Sequence, residues 1–355
     1  MSVFNGQAFL KEAIESILGQ TFRDFEFLVI DDGSTDSTAE ILSNYASRDA
    51  RIRVLRQPNK GRAASLNDGI KFSKGKYMAR MDADDIALPH RLLDQIDFME
   101  RHPEVGVLGG AVERINAVGQ PIDILRPPLE DLEIQSVMMH YNPMCHPALV
   151  MRREVVLGSG GYRQALLDAD DYDLWLRMGE RSKLANLDKI ILQYRIHANQ
   201  VSVRGMRHQV LCFLAARAAA SLRRSGSPDP LSDVEEVNTA LLHQLGVCAD
   251  EIQELLVGGY TYWMNALERS DPEAALRATE ELLKLSGSGY VGRSLLANAL
   301  LMAAGIHYSQ GRTLQALFSA VRAVVVRPIV AGRPVRRAFS HFATALKSWL
   351  GSTRQ

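Results

Sequence analysis

Cysteine is scarce in this chain. Cys145, Cys212 and Cys248 are the only three in 355 residues. An odd, widely scattered set without metal-ligand spacing argues against a disulfide scaffold and for a reducing compartment. Long hydrophobic runs are missing as well, and none is long enough to span a bilayer. No signal-peptide pattern precedes the first helix, so the cytoplasm is the expected address, with the inner face of the cell membrane as a place of peripheral attachment. Net charge is absent, since 41 Lys and Arg balance 41 Asp and Glu. Acid disappears altogether from Arg293 to Gln355, where nine basic residues lie, leaving 32 basic against 41 acidic residues upstream.

The rest of the composition, 46% apolar and 23% charged, is that of an ordinary globular protein, and the length suggests two domains. Gln7 to Leu18 carries apolar pairs at i, i+4 and i+8, a helical stripe. Phe25 to Ile30 is a nearly continuous apolar run, as expected of a strand buried on both faces of a parallel sheet. It ends in Asp31-Asp-Gly-Ser-Thr-Asp36, after which Ser37 and Glu40 have capping-box spacing. A strand at Ile52 to Arg56, a turn at Asn59-Lys-Gly61, a helix from Ala63 to Phe72 and a strand at Tyr77 to Met81 follow. The alternation implies an α/β domain with a mainly parallel sheet, whose ligands collect outside the carboxyl ends of the strands.

Both acidic clusters, Asp31/Asp32 and Asp82/Asp84/Asp85, lie at such ends. With the Tyr77 strand extended to the acids, Asp82 and Asp84 project to the same side. Like charges held together favour a cation between them, and Mg²⁺ or Mn²⁺ prefers carboxylate oxygens and bridges readily to phosphate. A solvated acidic turn is the plainer reading of three such residues taken alone.

Further along, short strands are expected at Val105 to Leu108, Ala111 to Ile115 and Ala148 to Met151, with helices near Leu129 to His140 and from Asp170 to Met178. Lys189 to Ser202 reads as a strand and a polar loop. Beyond Gly205 strand signals become scarce and Ala, Leu and Arg recur at helical spacing. This sets an expected boundary between a domain of residues 1–204 and an all-α region of residues 205–355. Two helix–turn–helix units, Tyr260 to Leu285 and Ser294 to Arg327, break at Asp271-Pro272 and Gln310-Gly311, a weak sign of a repeat.

Taken in order, Phe4-Asn5-Gly6, Asp31-Asp-Gly-Ser-Thr-Asp36, Asn59-Lys-Gly61 with Asn67, Arg80-Met-Asp-Ala-Asp-Asp85, Asp170-Asp171 before Tyr-Asp-Leu-Trp, and Tyr194-Arg-Ile-His-Ala-Asn-Gln-Val-Ser202 resemble a family 2 glycosyltransferase of the GT-A fold, which implies a Rossmann-like nucleotide-binding sheet with a mixed C-terminal part. The match covers roughly the first 200 residues and leaves the last 150 or so outside it. The resemblance implies a metal-dependent inverting enzyme that moves a sugar from a nucleoside-diphosphate sugar, UDP-linked by preference, to a saccharide or lipid-linked acceptor. The setting it implies is surface polysaccharide synthesis. It assigns Asp32, with Asp31 beside it, to the base, and Asp82 to the ribose or sugar. Asp84, with Asp82 and Asp85 adjacent, falls to the metal, and Asp171 to the catalytic base. Phe4, Asn5 and Asn67 fall on the donor side. Lys60 and Arg80 either neutralise phosphate or pair with the aspartates, and His197 either contacts the diphosphate or metal or is a hydrogen-bonded loop residue. Asp171 also has a structural reading, as a favourable charge at a helix N-terminus.

The family's apolar first strand is reduced here to Ser2-Val3-Phe4-Asn5, which is expected to leave neighbouring strands short of ladder partners. Either the true start lies upstream or the chain is compromised. Two other functions compete. A sugar-phosphate nucleotidyltransferase would need an N-terminal Gly-rich loop with a nearby Arg and Lys, which is missing. A non-catalytic scaffold with a degenerate transferase half is opposed by the intact Asp32, Asp84 and Asp171. In the acid-free tail, Phe339, Phe342, Leu346 and Trp349 fall near one helical face, just after Arg333, Arg336 and Arg337. That pattern suits peripheral contact with an anionic membrane through residues 333–350, or packing of the apolar face on the preceding hairpin. Nucleic acid is not an expected partner, since no recognised binding motif accompanies the charge.

Overall fold

The computed structural model describes residues 1–197, 205–268, 271–288 and 291–327. The basic segment 333–350 lies outside them. The chain divides into two compact units, residues 1–197 with 207–248, and residues 198–206 with 249–355. The helical stretch from Arg207 to Cys248 therefore groups with the sheet-bearing unit and not, as the boundary near residue 205 implied, with the C-terminal helices.

In the first unit β1 (Ser2–Val3), β2 (Phe27–Asp31) and β3 (Ile52–Arg56) form a three-stranded parallel sheet in the order β1-β2-β3. All five residues of β2 are buried, as its unbroken apolar run requires. Helices α1 (Leu10–Leu18), α2 (Thr38–Ala46) and α3 (Arg62–Phe72) connect and cover these strands, and Leu10, Ile14, Val29 and Leu42 meet in one core. The expected shortage of ladder partners is smaller than the two-residue β1 suggests. The Met1 ammonium donates to the Leu28 carbonyl, Ile30 N–H to that of Met1 and Asp32 N–H to that of Val3, all at 2.9 Å. At the start of α2 the capping box is not formed. Asp36 Oδ1 instead accepts from Thr38 N at 3.0 Å, two residues before the Glu40 N–H that a Ser37 cap would take.

The other strands form a mixed sheet, the mixed C-terminal part that the GT-A resemblance implied. Its order is β4 (Tyr77–Ala79), β8 (Val150–Arg152), β6 (Val105–Ile115), β9 (Lys183–Arg195) and β5 (Ile86–Ala87), with β7 (Pro121–Leu125) also on β6. Only β6 and β9 run parallel. Two short strands were expected at Val105 to Leu108 and Ala111 to Ile115, yet β6 is continuous through Gly109-Gly110. Those glycines admit β9, because a Cβ at residue 109 would sit 2.1 Å from Asn186 Oδ1 and one at 110 would sit 2.7 Å from Ile191 Cδ1. The close approach coincides with a break in register, where Gly110 pairs with Leu187 and Ala111 already with Ile190.

Helices α4 (Arg91–Arg101), α5 (Asp131–Met138), α6 (Arg153–Gly158), α7 (Asp170–Gly179), α8 (Met206–Arg224) and α9 (Thr239–Gln244) complete the fold of this region. The second unit contains α10 (Ala249–Leu267), α11 (Pro272–Lys284), α12 (Arg293–Ser309) and α13 (Thr313–Val326). The Asp271-Pro272 break is a helix start, with Asp271 Oδ1 accepting from Ala274 N at 2.8 Å and proline at the first position, where its missing N–H costs nothing.

Candidate active site

At the carboxyl end of β2, Asp31 and Asp32 are buried and face inward. Asp31 Oδ1 accepts from Ser34 N at 3.0 Å. Asp32 Oδ1 accepts from Lys60 N at 3.0 Å and Gln57 Nε2 at 2.9 Å, and Oδ2 accepts from Gly61 N at 2.9 Å. Burial pushes the Asp32 carboxyl up, but bonds from Gln57, Lys60, Ser65 and Gly61 outweigh it and leave it below its ordinary value. The loop can press this close because residue 33 is glycine at φ +80°, where a Cβ would lie 2.7 Å from Asn59 N. Asn5, at φ 53°, accepts from Thr35 N at 2.8 Å through its amide oxygen, while Phe4 is half exposed at the rim.

Two residues placed on the donor side by resemblance have other partners. The Lys60 ammonium pairs with Asp68 on α3 at 3.1 Å, so only its backbone N–H serves the acidic loop. Asn67 uses both ends of its amide on one backbone site, donating to Tyr162 O at 2.7 Å and accepting from Tyr162 N at 2.8 Å. It clamps the loop after α6 to α3.

The acidic loop after β4 is not a strand extension. The strand stops at Ala79, so alternation does not carry Asp82 and Asp84 to one side. Asp82 Oδ1 meets Arg80 Nη2 at 2.5 Å, whereas Asp84 Oδ2 meets His197 Nε2 at 2.9 Å. Arg80 is itself buried and donates through Nε to His146 Nε2 at 3.2 Å, which also takes the Tyr162 hydroxyl at 2.8 Å. Burial and the neighbouring Arg80 and Arg62 charges push His146 well below its ordinary value, so it acts as a neutral acceptor. Asp85 is 1% exposed; Oδ1 accepts from Arg195 N at 2.8 Å, and Oδ2 is shielded without a hydrogen-bond partner among the described residues. Burial, then the charges of Asp84 and Asp82, raise its carboxyl well above the usual range.

Strand pairing explains the meeting of Asp84 with His197. β5 runs antiparallel to β9 with Ile86 opposite Gln193, so the residues before β5 face those at the end of β9. Arg195, which sequence reasoning passed over inside the Tyr194–His197 motif, fastens this junction. Its Nε donates to Asp84 O at 2.8 Å, its Nη2 meets Glu12 Oε2 at 2.6 Å and its guanidinium lies 4.5 Å over the Phe9 ring.

The other side of the site is the N-terminus of α7. Asp170 is fully buried and its Oδ1 meets Arg62 Nη2 at 2.5 Å. Asp171 is half-buried, with Oδ1 on Tyr172 N at 2.7 Å and Oδ2 on Asn142 Nδ2 at 3.3 Å. Burial and the adjacent Asp170 charge push the Asp171 carboxyl up to about 6, against the pull of Arg62. Arg62, beyond its contact with Asp170, also feels the charges of Asp171 and Asp82, which raise its affinity for its proton against the effect of burial. Neither Arg62 nor Asn142 is marked by any local pattern, since their partners lie 108 and 29 residues away.

A cation at this site would draw on few protein ligands. Among the described residues no group of three or more His, Cys, Asp or Glu converges as a ready chelate, and Asp82, Asp84 and Asp85 have separate partners in Arg80, His197 and the Arg195 N–H. Asp84 and His197 do offer one oxygen and one nitrogen side by side. That pair would suit a divalent ion that draws its remaining ligands from outside the protein.

A parallel nucleotide-type sheet with acidic carboxyl ends, followed by a mixed sheet that returns a histidine to the second acidic loop, is the GT-A fold. Residues 1–158 match the family model described as glycosyl transferase family 2, and the chain belongs to that family. It is 34% identical over 215 residues to an uncharacterized glycosyltransferase of Haemophilus influenzae, a match covering 56% of this chain and 65% of that protein. It is 31% identical over 201 residues to the O-antigen biosynthesis glycosyltransferase WbnJ of Escherichia coli, covering 56% of this chain and 78% of WbnJ. Among solved structures, S. aureus TarS 1-349 in complex with UDP superposes with a TM-score of 0.52 at 17% identity, covering 94% of this chain and 90% of that one. The mannosyltransferase PcManGT from Pyrobaculum calidifontis, in complex with GDP-Man and Mn²⁺, gives a TM-score of 0.50 at 17% identity, with 91% and 84% covered. At that identity the structural likeness is one of fold. No described helix is long and apolar enough to cross a membrane.

Proposed function

We propose that this chain is a metal-dependent, inverting glycosyltransferase of the hexosyl-transferring kind. Its donor is a nucleoside-diphosphate sugar, UDP-linked by preference, and its acceptor a saccharide or lipid-linked saccharide of a cell-surface polysaccharide. One observation supports the reading: Arg62, at the start of α3 beside the loop that braces Asp32, meets the buried Asp170 at the start of α7 at 2.5 Å, which holds the Asp32 loop and the helix bearing Asp171 together.

In this reading Asp31 and Asp32, on the loop they brace with Lys60 and Gly61, take the nucleoside. Asp84 and His197 would hold Mn²⁺ or Mg²⁺, and the cation would offset the charge that grows on the leaving group. Asp171 accepts the proton of the acceptor hydroxyl as its oxygen bonds to the anomeric carbon and the bond from that carbon to the diphosphate breaks. A carboxyl raised to about 6 is ionised at neutral pH and remains basic enough for this role. Attack from the side opposite the leaving group inverts the anomeric centre, and no carboxylate nucleophile is needed.

The test is a panel of nucleotide sugars with the purified protein, with and without Mn²⁺, following nucleoside-diphosphate release and the anomeric configuration of the product by NMR. Metal-dependent release with inversion supports the reading. Release that persists in EDTA, or a product that retains configuration, overturns it.

A further inference from the structure

One short segment between α5 and β8, Asn142-Pro-Met-Cys-His146, touches the start of α7 at one end and the second acidic loop at the other. At its first residue the amide has a fixed direction. Asn142 Oδ1 accepts from Met144 N at 3.1 Å, so the amide nitrogen is the end that faces Asp171 Oδ2, at 3.3 Å. Asp171 Oδ1 takes the Tyr172 N–H at 2.7 Å. The carboxylate is thus held at both oxygens, and each keeps a lone pair with which to meet an acceptor hydroxyl.

At the last residue the contacts fix a tautomer. Arg80 can only donate, and its Nε lies 3.2 Å from His146 Nε2, so that nitrogen carries no proton. The imidazole packs edge-on to the fully buried Trp175, one turn after Asp171 on α7, with ring centroids 5.6 Å apart. Arg80, anchored at Nε, points its Nη2 at Asp82 Oδ1. Between the two ends the chain has little freedom. Pro143 and Pro147 are buried and lock φ, Met144 is buried beside Asn186, and Ala148 N donates to Cys145 O at 2.9 Å. The Arg80 main chain is held as well, since its N–H donates to Leu149 O at 2.8 Å.

We propose that Asn142 and His146 are positioning residues for sugar transfer. Asn142 holds the base Asp171, His146 holds Arg80 and through it Asp82, and the stiff segment between them sets the acceptor side against the sugar side of the donor. The inference rests on the transferase reading above, with Asp82 at the ribose or sugar. A segment that only fills the core is the competing account.

The test compares the full chain with four variants. Asn142→Asp keeps an acceptor for Met144 N but removes the donor to Asp171 and adds a like charge. The acid limb of kcat should therefore move up by about one unit, with turnover lost near neutral pH returning as pH rises. Asn142→Ala should move it the same way by less, and donor KM should stay put in both. Asp170, Arg62, Tyr162 and Cys145 share the field of Asp171 and are unaltered in these chains. His146→Phe keeps a ring against Trp175 but offers Arg80 no acceptor, so donor KM should rise roughly tenfold with the acid limb in place. His146→Gln, whose amide oxygen accepts, should recover most of that loss. An unmoved limb in both Asn142 variants overturns the inference, as does a donor KM no better in His146→Gln than in His146→Phe. If the parent releases nucleoside diphosphate from no sugar in the panel, the transferase reading fails. Carbon NMR titration of labelled carboxylates then judges the Asn142 contact by itself, and an Asp171 titration equal in the parent and Asn142→Asp overturns it.

Discussion

Arg62 and Asp170 are 108 residues apart in sequence and meet at 2.5 Å, with the carboxylate fully buried and the arginine partly open to the site. The contact joins the first residue of α3 to the first residue of α7. Through it the loop that braces Asp32 and the helix that presents Asp171 are held by one ion pair. Removing one partner of a buried pair leaves a charge without compensation, at a cost of about 3–5 kcal/mol. Arg62→Met is therefore expected to lose roughly 3 kcal/mol, the low end because the arginine is partly solvated. Pairing it with Asp170→Asn should restore much of the loss. Chemical denaturation of the two single variants and the double variant measures the coupling, and additive effects would count against it.

Asp171→Asn is expected to lower turnover by ~10²–10⁴ while leaving donor-nucleotide affinity unchanged. Its effect on stability has the opposite sign. The folded carboxyl is raised to about 6 from an ordinary 3.8, so the folded state binds the extra proton between these values and loses stability as pH rises through them. At pH 7 the amide removes that penalty, and the variant should melt no lower than the parent. In the parent, turnover should fall with one-proton dependence below about pH 6. A nucleotide-binding defect would move Asp171 to the donor side.

Asp84→Ala should abolish nearly all transfer and leave the fold intact, because it removes a charge that adds to burial in raising Asp85. His197→Ala is expected to weaken Mn²⁺-dependent binding of the nucleoside diphosphate, since its Nε2 stands 2.9 Å from Asp84 Oδ2. Calorimetric titration with and without Mn²⁺ reads both. Parental activity of the Asp84 variant in EDTA would remove the metal from this site.

Gly109→Ala tests the close approach of β6 and β9. The new Cβ would lie 2.1 Å from Asn186 Oδ1 and 3.0 Å from Leu149 Cδ2. Overpacking of this kind costs about 1–3 kcal/mol, and the melting temperature should fall accordingly. An unchanged melting temperature would show that β9 yields.

Where sequence reading reached the site, it did so through short stretches whose partners are local. The run from Phe27 through Asp31 sets a buried strand with acids at its carboxyl end, because burial and chain direction are both written in the residues themselves. The Asp271-Pro272 helix start was legible for the same reason. Asp82 and Asp84 were misjudged because a period of two holds only while the strand lasts, and β4 ends three residues before Asp82. Ser37 was passed over for Asp36 because two oxygens competed for the same first turn. Arg62, Asn142 and Arg195 escaped notice because each matters through a group distant in sequence, and no local spacing records such a pairing. The antiparallel position of β4 was hidden likewise, since its neighbour β8 comes some seventy residues later.

β9 starts at Lys183, four residues after α7 ends, and finishes at Arg195, two residues before His197. One continuous element, irregular between Leu187 and Leu192, thus links the end of α7 to the junction of Asp84 with His197. Outside the irregular stretch from Leu187 to Leu192, each residue added to or taken from it would shift one end by about 3.3 Å and turn every later side chain to the opposite face. The strand is a ruler, and its length tolerates little editing. Exchange of sugar or acceptor among related chains should therefore be sought in the loops around the ruler, with its residue count unchanged.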